Sequence, residues 1–132
     1  MKQKDLFTEL QEAIHSLPYY SESEFPFVVT GLGKMDLTTA ILKLQEASAE
    51  KIVHQLNGIY AFFTRIDTQL SLSQLEESVA LAFRYKHLHQ VIIDHCRSAE
   101  LYRAGTVEVT ISLLLIGNDE QAYLLQTKSI ET

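Results

Sequence analysis

Glu22 and Glu24, two positions apart in Ser21-Glu22-Ser23-Glu24, are the nearest this 132-residue chain comes to a paired acid and base. General acid–base work needs partners that hold two carboxyls in different protonation states, and nothing nearby in the sequence completes such a site. On local pattern the pair is a solvated acidic loop. Five histidines invite a metal hypothesis, with His87, His89 and His95 close together. On a helix, however, residues two apart point roughly 200° from each other, whereas helical ligands are spaced by three or four. His95 beside Cys96 makes a poor thiol and base pair, because adjacent helical residues diverge by about 100°. Gly31-Leu32-Gly33-Lys34 has neither the spaced final glycine of a dinucleotide fingerprint nor the Gly-Lys-Ser/Thr of a phosphate loop. The reading is a chain that is not an enzyme, with no cofactor and no metal site of its own.

Composition bounds the alternatives. A chain of this length forms one domain that buries roughly 68% of its unfolded surface. Hydrophobic residues at 46% and charged residues at 21% are those of an ordinary globular protein. The net charge of −6 repels phosphate backbones, so direct nucleic-acid binding is disfavoured and encounter with a basic partner is favoured. No apolar run approaches the roughly 18 residues of a membrane span, and no apolar stretch of signal-peptide length follows Met1 to Lys4, so a cytoplasmic location is expected. Cys96 stands alone, which excludes an intramolecular disulfide and a cysteine-based zinc site.

The elements that must carry any site follow from periodicity. Asp5 can cap a helix with Leu6, Leu10, Ile14 and Leu17 on one face, ending at Leu17 before Pro18. Residues 21–24 read as a loop feeding a strand from Phe25 to Thr30. Gly31 and Gly33 mark the end of that strand or a turn after it, and Thr38 to Gln45 suits either a short helix or a second strand. After Gly58, the residues Ile59, Phe62, Phe63 and Ile66 share a helical stripe. Ser73 with Glu76 makes a capping-box start for the longest helix, whose stripe of Leu81, Tyr85, Leu88, Ile92 and Cys96 is widened by Leu75, Val79, Phe83 and Val91 and fades over residues 97–100. Val107, Val109, Ile111, Leu113 and Leu115 alternate with polar residues until Leu114 and Ile116, where both faces become apolar. Gly117-Asn118-Asp119-Glu120 is hairpin chemistry, returning through residues 122–130. An α+β fold results, with an antiparallel or mixed sheet covered by helices on both sides.

Ser21-Glu22-Ser23-Glu24-Phe25-Pro26-Phe27 resembles the Ser-Glu-Ser-Glu-aromatic-Pro-Phe signature of the nuclease A inhibitor family. The chain is similar again at Phe62-Phe63-Thr64-Arg65, at residues 102–109 from Tyr102-Arg103-Ala104-Gly105, at Ile116-Gly117, and at Thr127-Lys128-Ser129-Ile130-Glu131-Thr132. The resemblance implies an α/β/α sandwich over residues 1–132. It also implies a partner, a magnesium-dependent nuclease that cuts DNA and RNA without sequence preference, and an inhibitor that presents Glu22 and Thr132 to that enzyme's active site, with Thr132 approaching the partner's metal. Glu24 would support the loop or meet basic residues at the rim. Family inhibitors can carry an Asp-Trp pair in the loop after Phe-Phe-x-Arg. Residues 66–72 here offer Asp67, and the chain has no tryptophan. Loss of an aromatic anchor, a residue type whose truncation at hot spots costs about 2 kcal/mol or more, leaves a second reading open: a protein- or ligand-binding module of the same fold without a nuclease target. Tyr102, Arg103 and Gly105 read as structural, with Gly105 supplying backbone freedom.

Overall fold

The computed structural model describes residues 5–20, 23–73 and 75–131. Helix α1, Leu6–Ile14, begins where Asp5 accepts the Thr8 N–H at 2.7 Å. It stops three residues short of the expected Leu17, because Ser16 takes φ +53° and the chain turns out of the helix. Leu17 nevertheless keeps its place in the apolar repeat and is buried. Two short strands follow, β1 (Pro18–Tyr20) and β2 (Glu24–Pro26), paired antiparallel with Tyr20 opposite Glu24. The single strand expected from Phe25 to Thr30 is therefore divided. Its break is Phe27, whose buried ring meets Tyr19, Phe62 and Tyr85 edge-on at centroid distances of 6.1, 6.5 and 6.0 Å. Burying that ring is worth more than one further residue of ladder.

Strand β3 (Val28–Lys34) runs through both glycines, which are neither its end nor a turn after it. A bulge lies between Gly31 and Gly33, and Gly33 at φ +92° supplies the backbone conformation that it requires. Asp36 then caps α2 (Leu37–Ala47) through the Thr39 N–H at 2.8 Å, which settles the helix or strand alternative as helix. The remaining elements are β4 (Val53–Gln55), α3 (Gly58–Leu72), α4 (Glu76–His95), β5 (Cys96–Ala104), β6 (Glu108–Gly117) and β7 (Gln121–Ile130).

Strands β3 to β7 form one antiparallel sheet in the order β3-β7-β6-β5-β4. Alternation along β6 divides the core as expected from Val109 onward, whereas Val107, read as part of the same core face, precedes the strand and is exposed. Val109, Ile111, Leu113 and Leu115 join Leu10 of α1, Phe63 of α3 and Leu88 of α4 on one face. Leu114 and Ile116 meet Ala40 and Leu44 of α2 on the other. Helices cover both faces, giving the α/β/α arrangement. No helix among the described residues is long and apolar enough to cross a membrane.

The longest helix departs from expectation at both ends. Its N-cap position is Leu75, without a side-chain cap, while Ser73 closes α3 by donating its N–H to Leu70 O at 3.2 Å. The Ser73 hydroxyl accepts from the Ser78 hydroxyl at 2.9 Å, so the serine staples two helices and caps neither in the box geometry. At the other end, residues 97–100 do not fade as frayed helix but belong to β5, which pairs with both β4 and β6. A ladder on two sides overrides weak local preference. Leu75, Val79 and Phe83 do not widen the buried stripe and are exposed.

Candidate partner-binding surface

The β1–β2 hairpin, which ends in the pair Tyr20 and Glu24, is fastened to β7. Pro26 O accepts the Thr127 hydroxyl at 3.0 Å, and two residues along the chain Val28 pairs with Gln126. From there β2 leads back to Glu24 while β7 leads on to Ile130 and Glu131. The ladder is extended by one bond beyond β7, the Glu131 N–H donating to Val107 O at 2.7 Å.

Tyr19 lies where the hairpin meets this end of the sheet. Its ring stacks on Phe62 of α3 at 5.5 Å and, with Arg65 and Arg103, lines a cavity of about 70 Å³. Burial raises the Tyr19 pKa above the ordinary phenol value. The charges of Arg103 and Arg65 work against that shift and the charge of Glu131 adds to it. Arg103 itself pairs with the Glu131 carboxylate. The hairpin is braced from α4 as well. The Tyr85 hydroxyl donates to Pro18 O at 2.6 Å, and Arg84 donates to the carbonyls of Ala13, His15 and Ser16 that lead into β1.

Among the residues singled out from sequence, Glu22 and Thr132 lie outside the described residues. Glu24 is exposed on β2. Asp67 lies within α3, since residues 66–72 are helix where a loop was expected, and it faces Lys86 of α4 at 3.7 Å. It shares a groove with Tyr60, Phe63 and His89. Arg65, two positions earlier, points toward the hairpin, roughly 200° away around the helix. The fold thus draws together the strands that flank the acidic loop and the tail, and sets Asp67 on another face of α3. Arg65, Tyr19 and Tyr85 escaped notice as site residues. Arg65 and Arg103 fall inside two of the motif patches, which was the available signal.

The other candidate groups have structural partners. His89 stacks on Phe63 at 4.3 Å with an interplanar angle of 5°, and burial lowers its pKa. His95 pairs with Glu9 at 2.8 Å. Cys96 is half-buried, and burial first, then the charge of Asp119, push its thiol up to about 12, far from a reactive thiolate. No cluster of three or more His, Cys, Asp or Glu suited to a metal occurs among the described residues.

A family model described as NuiA, nuclease A inhibitor-like protein, matches residues 4–132. A search of the curated proteins returned no match.

Proposed function

Because the chain belongs to the nuclease A inhibitor-like family, we propose that it inhibits a magnesium-dependent, sugar-nonspecific endonuclease by plugging its active site with Glu22 and Thr132. The role is non-enzymatic and the partner is a protein. A site built for a scissile phosphate offers cationic side chains and a hard metal ion that prefers oxygen ligands. Carboxylate and hydroxyl oxygens can take the phosphate's place. Glu24, exposed on β2, meets basic residues at the rim, and Asp67 makes a separate contact from α3.

The observation that carries this reading is the fastening of the hairpin to β7. Thr127 bonds Pro26, and Tyr19 of the hairpin stands within the field of Glu131. The hairpin that precedes and follows Glu22 in the chain is thus tied to the strand that leads toward Thr132, which supports insertion of both into a single cleft. The net charge of −6 adds long-range attraction toward a cationic site.

Titration of the untagged protein against such a nuclease, with plasmid cleavage as readout, tests the proposal. Stoichiometric loss of cleavage is expected, and undiminished cleavage at saturating protein rejects it. Glu22→Ala, and separately deletion of Thr132, should each weaken inhibition by about 30-fold or more, the scale of losing one member of a desolvated charged contact, about 2–5 kcal/mol. If both variants fold and inhibit like the parent, the assignment of these two residues is wrong.

A further inference from the structure

Two arginines stand at this end of the molecule in a chain that is acidic as a whole, and one of them, Arg103, meets the tail. Arg103 comes from β5 and Arg65 from α3, and they share a small cavity with the Tyr19 ring. Glu131 enters this cluster as its anion, paired to Arg103. Its backbone is fixed independently by the N–H to Val107 O bond of 2.7 Å. A residue just past the end of a strand ordinarily frays. Glu131 is instead held at both its main chain and its side chain.

We propose that Arg103 is a positioning residue for inhibition, clamping Glu131, the residue that precedes Thr132 in the chain. This deepens the reading given above and rests on it for the role of Thr132. Arg103 touches no partner group in this scheme. It lowers the entropy lost when the tail enters the cleft, and a tail ordered in advance binds more tightly with no additional contact. The pair is made through one guanidinium nitrogen of Arg103 and one carboxylate oxygen of Glu131.

Three variants test the clamp: Arg103→Glu, Glu131→Arg and the double exchange, with Arg103→Lys as a milder substitution should the charge reversals fail to fold. Amide hydrogen exchange monitored by nuclear magnetic resonance reads the tail in the free protein. Each single exchange should speed the Glu131 amide by about fivefold, the range expected for a partly exposed ion pair, while the Leu113 and Leu125 amides of the sheet interior stay unchanged. The double exchange should restore protection. Unchanged Glu131 exchange in both single variants, or no recovery in the double, overturns the clamp.

Inhibition of the magnesium-dependent nuclease is measured on the same samples. It should weaken in the single variants by a similar factor and recover in the double. If the parent protein inhibits and the single variants inhibit equally well despite faster Glu131 exchange, the positioning role is refuted. If the parent does not inhibit at all, the functional proposal fails, while the exchange data still decide whether the clamp exists.

Discussion

Substituting Thr127→Val removes the hydroxyl that ties the hairpin to β7 while keeping the branched shape of the side chain. Thr127 is 3% exposed and its hydroxyl donates to Pro26 O at 3.0 Å. Two opposing effects decide the outcome. Losing the bond and leaving a part-buried carbonyl without that donor costs about 1–3 kcal/mol. The valine methyl in a dry position returns about 0.8 kcal/mol. A net destabilisation of about 1 kcal/mol is expected, with no cavity term because the methyl occupies the place of the hydroxyl. With a urea m-value of about 2 kcal/mol/M for a domain of this size, the midpoint should fall by about 0.5 M at unchanged m. Equilibrium urea unfolding followed by far-ultraviolet circular dichroism measures this directly. A midpoint equal to or above that of the parent would show that the hairpin is not fastened through this bond, and the convergence of loop and tail would lose its main support.

Two further substitutions probe other parts of the frame. Gly105→Ala places a Cβ 2.3 Å from Glu108 O at φ +105°, so both strain and a backbone clash oppose it, and a loss of about 2–3 kcal/mol in thermal or urea unfolding is expected. A change below about 0.5 kcal/mol would refute the requirement for glycine at that turn. Burial depresses the His89 pKa in the folded protein, so protonation favours the unfolded chain. Its contribution to stability is complete above the unfolded value of about 6.5 and is lost as pH falls from there toward the depressed folded value. His89→Gln should therefore flatten the decline in stability as pH falls below about 6.5. Equal slopes for the two proteins over that window would contradict this.

What was legible in the sequence is what short-range chemistry determines. The Asp5 cap, the alternation from Val109 to Leu115 and the turn at Gly117-Asn118-Asp119-Glu120 each act over a few residues, and each reappears in the fold. Cys96–Ala104 was not legible as a strand, because it follows a helix with no Gly or Pro between and mixes polar with apolar residues. It becomes a strand through its two neighbours. Ser73 had the right type and spacing for a cap and was claimed by α3 instead. The site divides in the same way. The acidic motif was visible as residues, whereas the pairing of Val28 with Gln126, which ties the strand after it to β7, is a contact across most of the chain with no local signature. The same holds for Arg103 and Glu131, neither of whose neighbours in sequence announces the other.

The position of β3 in the sheet has a consequence for how the molecule is made. Its partner in the sheet is β7, which follows every other element in the chain. During synthesis β3 emerges early and waits unpaired until β7 leaves the ribosome, an interval in which an edge strand is exposed to mispairing with other chains. Gly31 and Gly33, poor strand formers with a kink between them, suit a segment that must stay unattractive to strangers for that time and still close the domain when its mate arrives.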